Sequence, residues 1–240
     1  MRQIVKENDA FRRIYYRIQM LRARAQSDET KIIDYLTASG PQTFVEFGFH
    51  PIQFNCISLA KKPTWQGLLV DGNSRQISDA IAILPSRLKI VRKFLTLENI
   101  DFIRRAFQKI GVLSIDVDGN DYWFLRELLE TRPAVICIEY NSTFGREPVT
   151  VPYDPTFDRH EKHPSGWYHG ASLAALCKLC GTYGYGLAAV SAAGVNAFFT
   201  PDGNLDPSAS WRPNAFRETY SGVAHDAQWQ AIKELPFVLV

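Results

Sequence analysis

Carboxylates and amides follow an apolar strand in the segment Leu-Ser-Ile-Asp-Val-Asp-Gly-Asn-Asp, residues 113–121. Ionised aspartates such as Asp116 and Asp118 are almost never fully buried without a charged or metal partner. Gly119 gives the backbone room to turn after the strand. The segment therefore predicts a sheet edge at which a cation or a polar ligand binds.

Acidic side chains close other predicted strands as well. Glu46, followed by Gly48, ends the first strand, Asp71 ends the second, and Glu139 ends the fifth with Asn141 behind it. Ligands of open parallel sheets bind beyond the carboxyl ends of the strands. With the segment above, carboxylates stand at four strand ends, which predicts one functional rim rather than chance polar strand endings.

Strands and helices alternate between these positions, which predicts right-handed βαβ units and a parallel sheet. The predicted strands are 43–47, 67–70, 88–91, 112–117 and 134–139, and the predicted helices are 52–60, 75–84, 97–109, 122–130 and 171–180. Segments 185–190 and 195–200 predict a closing hairpin. The expected fold class is α/β: a doubly wound, mostly parallel seven-stranded sheet with an antiparallel C-terminal hairpin and helices on both faces.

The pattern divides the chain into three parts. Residues 1–40 are expected to form an N-terminal helical extension, 41–200 a Rossmann-like domain, and 201–240 a C-terminal tail or cap. A long polar loop, 141–169, leaves the fifth strand. Connections of this length usually serve function, so the loop is expected to be a lid over a substrate.

Composition narrows the class of protein. The net charge of +2 over 240 residues creates no field that would attract nucleic acid or an anionic membrane, and no apolar run is long enough to span a bilayer. Four cysteines do not make a disulfide scaffold at this length, which indicates a reducing, cytoplasmic setting.

Cys177 and Cys180 form a CxxC, but their helical spacing favours core packing over zinc binding. Arginines on the predicted N-terminal helix suggest a solvated face or, alternatively, a patch that binds an anion or a partner: Arg12, Arg13, Arg17, Arg22 and Arg24.

Asp71 is the most informative single residue. It lies roughly 20 residues after the first βα turn, where an acid can accept hydrogen bonds from both ribose hydroxyls. A dinucleotide site also needs a G-x-G-x-x-G turn, but here the turn is Gly48-Phe49-His50-Pro51. The turn therefore lacks the glycines that bind a pyrophosphate, whereas a nucleoside without phosphates can still bind there. The contrast favours S-adenosylmethionine over NAD.

The chain resembles the S-adenosylmethionine-dependent methyltransferases with the Rossmann-like fold, and it is most similar to the FkbM-like small-molecule O-methyltransferases. The resemblance covers about residues 43–200 and rests on the strand ends at Glu46, Asp71, Asp116 and Glu139 together with the terminal hairpin. It implies methyl transfer from S-adenosylmethionine to a hydroxyl of a small molecule or sugar.

The resemblance also implies a cofactor site. Glu46 and Gly48 would hold the methionine part and Asp71 the ribose, and the remaining predicted cofactor residues are Gly72, Asn73 and Asp116. The segment after the third strand departs from the family because it offers no carboxylate to adenine. The expected substitutes are Phe94 or Leu95 packed on the ring, and Thr96 or Glu98 at its amine.

The acidic rim is similar to the divalent-metal site of catechol-type and sugar O-methyltransferases. That similarity places Mg²⁺ on Asp116, Glu139 and Asn141, with Asp118 as an alternate ligand. Such oxygen ligands suit Mg²⁺ or Ca²⁺. In the alternative, Asp116 and Asp118 cap the following helix or contact the cofactor directly.

The predicted catalytic residues are His169 and Asp116. His169 is the predicted general base because it lies where the lid rejoins a helix. Positioning and deprotonation of the acceptor hydroxyl, by metal or histidine, would supply most of the acceleration. Other rings in the lid suit a polar, ring-shaped acceptor: Tyr153, His160, His163, Trp167 and Tyr168.

Three alternatives fit parts of the sequence. Asp-x-Asp-Gly is also the nucleophile turn of haloacid-dehalogenase-type phosphatases, but those place it on the first strand. Asp-x-Asp occurs in nucleotide-sugar glycosyltransferases too, although no uridine-binding segment is evident. The third alternative is a noncatalytic methyltransferase-like binding protein, because only Gly48 remains of the glycine-rich turn. The expected partners are a small-molecule or saccharide acceptor and a second copy in a homodimer, with no nucleic acid.

Overall fold

The computed structural model describes residues 8–240, so the first seven residues of the predicted extension lie outside the described residues. Helix α1 (Asp9–Met20) begins after Asn8, whose side chain accepts hydrogen bonds from the backbone of the first turn. Helix α2 (Glu29–Leu36) follows. Both helices precede the sheet.

One seven-stranded sheet organises the described chain. Its strands are β1 (Thr43–Phe47), β2 (Gln66–Asp71), β3 (Leu88–Arg92), β4 (Val112–Ile115), β5 (Val135–Glu139), β7 (Gly186–Val190) and β8 (Asn196–Thr200). They lie in the order β3-β2-β1-β4-β5-β8-β7. The first five strands are parallel, and β8 is antiparallel to both of its neighbours. The predicted fold class is confirmed, and the strand order reverses between β1 and β4.

Helices connect the strands, and those predicted over 52–60 and 97–109 are about half the predicted length or less. The connecting helices are α3 (Ile57–Lys61), α4 (Ser74–Ile83), α5 (Asp101–Arg104), α6 (Asp121–Leu128) and α8 (Leu173–Gly181), with a 3₁₀ turn at Leu129–Thr131. The helix predicted over 97–109 contracts to α5. Asn99 bonds through its side chain to the backbone of Phe94 and Thr96, and this local turn competes with helix formation.

Apolar layers cover both faces of the sheet. Neighbouring strand residues alternate between them, because successive side chains point to opposite faces. Phe44 and Leu69 belong to one layer, whereas Val45 and Leu68 belong to the other. Cys180 is buried as a free thiol in the second layer, with Cys177 packed against it, in agreement with core packing of the CxxC.

The predicted lid and the C-terminal tail share a third hydrophobic core. The lid holds a 3₁₀ turn at Ser142–Phe144, strand β6 (Val149–Thr150) and helix α7 (Arg159–Lys162); the tail holds α9 (Pro207–Ser210), α10 (Ala215–Ser221), α11 (His225–Ile232) and strand β9 (Val238–Leu239). Strands β6 and β9 pair antiparallel, and Phe144, Val151 and Tyr168 pack against Ile232 and Phe237. Among the helices of residues 8–240, none is both long and apolar enough to cross a membrane.

Candidate active site

A cavity of about 610 Å³ opens beyond the carboxyl ends of β1, β2 and β4. It lies where the strand order reverses, which is the expected ligand position of an open α/β sheet. Its volume is that of a small-molecule site. The cavity brings together these predicted residues: Glu46, Gly48, Asp71, Gly72, Asn73, Phe94, Leu95, Asp116 and Asp118.

Glu46 shapes the first βα turn. Its two carboxylate oxygens accept hydrogen bonds from the backbone N–H groups of Asn55 (2.7 Å) and Cys56 (2.8 Å), just ahead of α3. Burial raises the pKa of Glu46 to about 7, although these bonds oppose the shift. The side chain therefore fixes the wall of the cavity, and its oxygens are already engaged.

Gly48 follows β1 with a positive φ of 74°. A Cβ at this position would lie 1.4 Å from the carbonyl oxygen of Asp116. Only glycine therefore permits the close approach of the β1 and β4 ends. Backbone packing therefore requires glycine at position 48, whether or not a ligand binds beside it.

Asp71 presents a fixed carboxylate at the end of β2. One oxygen accepts from the backbone N–H of Asn73 (2.6 Å), and the other accepts from that of Phe49 (3.3 Å). Burial raises the pKa of Asp71. Each carboxylate oxygen can accept a second hydrogen bond, so the two oxygens of Asp71 can accept hydrogen bonds from both hydroxyls of a vicinal diol. The side chain of Asn73 instead caps α4 by accepting from Arg75 and Gln76.

Phe94 and Leu95 form an apolar part of the cavity wall. The Phe94 ring is 61% exposed and lines the cavity beside Leu95, so a flat ring could pack there. Thr96 and Glu98 are not among the lining residues. Gln76, which our sequence reasoning missed, lines the cavity and has a buried side-chain oxygen without a hydrogen-bond partner. That oxygen is a ready acceptor for a ligand N–H or O–H.

A group of carboxylates lies beside the cavity. Burial and the charge of Asp118 raise the pKa of Glu139 to about 8. Burial and the charge of Glu139 hold the pKa of Asp116 well above its usual range. Asp118 adopts a left-handed backbone conformation (φ 55°) and pairs with Arg159 of the lid at 2.5 Å. Asp121 has a structural role: it accepts from the backbone N–H groups of the turn at 117 and 119.

Three ligand atoms in this group fit a divalent cation. Ligand atoms of Asp118, Glu139 and His169 all lie within 4.8 Å of one another. Oε2 of Glu139 and Nδ1 of His169 are buried, have no hydrogen-bond partner, and lie 3.7 Å apart. Two buried polar atoms without partners are costly, and a cation between them would satisfy both.

Arg217 of α10 reaches into the same group, and our sequence reasoning missed it. Its guanidinium nitrogens lie 2.9 Å from Nε2 of His169 and 2.6 Å from Oδ1 of Asn141. A guanidinium only donates, so Nε2 accepts and the ring proton lies on Nδ1. Burial and Arg217 also hold the pKa of His169 well below its usual range. A cation on Nδ1 therefore excludes the Arg217 contact, because it moves the proton to Nε2.

Asn141 holds the lid in place. Its amide nitrogen donates to the carbonyls of Trp167 and His169, both at 2.7 Å, and its oxygen accepts from Thr143 and Arg217. Both polar atoms of the Asn141 side chain therefore have hydrogen-bond partners within the protein, whereas Glu139 and His169 each have a polar atom without one.

The lid also rests on the turn after β4. The side-chain amide of Asn120 exchanges hydrogen bonds with the backbone of Asp154, at 2.8 and 3.3 Å. A Cβ on Gly119 would lie 2.3 Å from the Phe157 ring, so glycine lets this ring cover the turn. His160 and His163 lie outside the group of clustered ligand atoms.

The fold and the site define an α/β protein with a ligand cavity at the strand-order reversal. No protein-family model matches the chain, and no curated protein matches it. Similar solved structures include an O-methyltransferase from Bacillus cereus in complex with SAH (14% identity, TM-score 0.47, 72% of this chain and 78% of that one). A putative O-methyltransferase from Klebsiella pneumoniae is 13% identical, with a TM-score of 0.49 and coverage of 80% and 88%.

Proposed function

We propose that this protein is an S-adenosylmethionine-dependent methyltransferase that methylates a hydroxyl group of a small molecule or sugar. The observation that carries the proposal is the Asp71 carboxylate, held by two backbone N–H groups and facing the cavity at the end of β2. This arrangement suits the two ribose hydroxyls of a nucleoside. Phe94 at one end of the cavity suits adenine, and the other end leads to the carboxylates.

The acceptor would lie at Asp116, Asp118 and Glu139, beneath the lid. S-adenosylmethionine supplies an electrophilic methyl group on a sulfonium. The protein must then place the acceptor oxygen in line with that methyl group and remove the hydroxyl proton. When no cation is bound, Glu139, with its pKa of about 8 and an unpartnered oxygen, is better suited to accept this proton than His169, whose Nε2 lone pair faces Arg217.

A divalent cation is the second element of the proposal. Asp118 and Glu139 would hold it, and His169 would join them if the Arg217 contact opens. Such a cation lowers the pKa of a bound hydroxyl. A set with one imidazole and two carboxylates suits Mn²⁺ as well as Mg²⁺.

Calorimetry with S-adenosylhomocysteine tests the cofactor assignment. We expect wild-type protein to bind it and Asp71→Ala to weaken binding by at least about 30-fold, since two charge-assisted hydrogen bonds are lost. Asp202→Ala, at an exposed position outside the cavity, is the matched control. Absence of binding by the wild type would overturn the proposal. Binding without methylation of any of a panel of hydroxylated acceptors would favour the noncatalytic alternative.

Titration with Mn²⁺ in the absence of cofactor tests the cation site on its own. We expect Glu139→Gln to reduce the affinity by at least about 10-fold, because a charged ligand becomes neutral at nearly constant shape. Asp71→Ala should leave Mn²⁺ binding unchanged, since Asp71 lies outside the cluster of ligand atoms. Equal affinities in wild type and Glu139→Gln would contradict the assignment.

A further inference from the structure

Helix α1 places arginine side chains against α4, whereas most of its apolar side chains face solvent. The Arg12 side chain is only 4% exposed and donates to the carboxylate of Asp79 on α4 at 2.6 and 2.9 Å. Arg17 donates to the carbonyl of Ala82 at 2.9 Å. A surface helix normally buries its apolar face instead. The packing of α1 on α4 therefore fixes which face remains outside.

The outer face forms an apolar stripe that we call the outer stripe. Its members are Phe11 (59% exposed), Ile14 (54%), Tyr15 (45%), Ile18 (61%) and, directly after the helix, Leu21 (85%). The other residues within 8–240 leave these five side chains exposed to the fractions given. Five such side chains present on the order of 500 Å² of apolar surface, and contiguous patches of this size mark interaction sites.

The spacing within the outer stripe predicts a helical partner. Phe11, Ile14, Ile18 and Leu21 are separated by three, four and three residues. This is the a/d spacing of two helices that pack along a common seam, with each side chain inserted between those of the other helix.

The same spacing is symmetric about its centre. Phe11 and Leu21 each lie five residues from position 16, and Ile14 and Ile18 each lie two residues from it. An antiparallel pairing of two identical helices would therefore set Phe11 against Leu21 and Ile14 against Ile18. Self-complementarity of this kind is what a two-fold symmetric dimer requires.

Charges along the helix also favour the antiparallel arrangement. Asp9, with a side chain that is 66% exposed, lies at the N-terminus, whereas Arg22 and Arg24 are exposed just beyond the C-terminus. Antiparallel pairing brings opposite charges and opposite helix-dipole ends together. A parallel pairing would set these arginines against their own copies.

We propose that the outer stripe is a homodimer interface, in which α1 pairs antiparallel with α1 of a second copy of this chain. The two stripes together would bury about 1,000 Å², the lower limit for a specific interface, so micromolar affinity is expected. The inner face of the same helix contacts the cavity rim, where Tyr16 lies 3.3 Å from the His50 ring. The proposed dimer thus steadies a helix that helps to enclose the cavity.

Light scattering coupled to size-exclusion chromatography tests the interface. At tens of micromolar, the full chain should elute at twice its 27.2 kDa mass. The double variant Ile14→Glu/Ile18→Glu should be monomeric, with a dissociation constant raised at least about 100-fold. Tyr35→Glu, at another exposed aromatic, is the matched control and should remain dimeric. Circular dichroism checks that the double variant is folded, which is expected because both side chains are exposed.

Disulfide crosslinking tests the direction of the pairing. A mixture of Phe11→Cys and Leu21→Cys chains should crosslink in trans, whereas Phe11→Cys alone should not. A monomeric wild type, a dimer that survives the double substitution, or crosslinking of Phe11→Cys to itself would each overturn the proposal. Binding of the monomer to phosphatidylserine vesicles through the same residues would overturn it as well, in favour of a membrane.

Discussion

Glu46 shows how one carboxylate can set both the shape of the cavity and the pH dependence of stability. Burial raises its pKa to about 7, whereas in the unfolded chain the group has its ordinary value of 4.5. Between these values the folded protein retains a proton that the unfolded chain releases. The free energy of unfolding therefore falls as pH rises from 4.5 to 7, by about 1.4 kcal/mol per pH unit from this group.

We expect chemical denaturation to detect this contribution when wild type is compared with Glu46→Gln. Glutamine has no charge to release, so the stability of wild type relative to the variant should fall by about 2–3 kcal/mol between pH 5 and pH 7.5. Glu234→Gln, at a side chain that is 90% exposed, should show no such relative change. Parallel pH profiles for wild type and Glu46→Gln would show that the group is not buried in its protonated form.

Arg217 competes with a cation for the same residues. It is half-buried and, together with Arg159, supplies positive charge to the group that contains Glu139 and Asp118. Replacing Arg217 with glutamine should raise the affinity for Mn²⁺ about 10-fold, because a like charge is removed and Nδ1 of His169 can become a ligand. Calorimetry or the loss of the free Mn²⁺ paramagnetic resonance signal measures the change. Arg217→Lys, which keeps the charge, is the control, and weaker binding by Arg217→Gln would contradict the competition.

The positions of candidate site residues at strand ends could be predicted from the sequence, because a strand pattern places its last side chain at a known edge. Asp71 and Glu139 were found in this way. Arg217 and Gln76 could not be found, since no strand pattern points to them. Arg217 comes from a tail helix 48 residues after His169, and only the packing of the tail brings them together. The roles of Glu46 and Asn141 were also hidden, because they depend on backbone groups of neighbouring loops.

At the scale of elements, the turn after β4 and the lid are fitted to each other. Gly119 leaves space for the Phe157 ring, and Asn120 fastens the backbone at Asp154. These contacts hold the segment 141–169 against the turn after β4, beside the cavity. The sequence indicated the lid by its length alone, because its contacts come from residues far apart in the chain.

Gly119→Ala should loosen the lid, because the new Cβ would lie 2.3 Å from the Phe157 ring. We expect a stability loss of about 1–3 kcal/mol, as for other overpacked sites, and faster proteolytic cleavage within residues 154–163. The double variant Gly119→Ala/Phe157→Ala should recover part of this loss, since the clash is gone. Gly181→Ala, where a Cβ meets nothing within 4 Å, should be close to neutral. Unchanged cleavage in Gly119→Ala would mean that the ring does not rest on the turn.

At the scale of the whole molecule, the sheet was predictable because its strands alternate regularly with helices and are strongly apolar. The tail helices α9 and α10 were not, since they are short and carry few apolar residues each. The fold of the tail depends on the third core, where Ile232 is fully buried against lid residues such as Tyr168. The molecule therefore contains a sheet with two apolar layers and a joint lid–tail unit beside it.

Ile232→Ala tests whether the lid and the tail behave as one cooperative unit. Loss of a fully buried isoleucine should cost about 2–4 kcal/mol, and the cost should fall on the third core. Hydrogen exchange should therefore accelerate at β6, at β9 and around residues 167–170, whereas β1, β2 and β4 keep their protection. Ile33→Ala removes an equally buried side chain from a layer of the sheet and should produce the opposite distribution. Uniform acceleration in both variants would mean that the chain opens as a single unit, and that the lid–tail unit cannot loosen independently of the cavity.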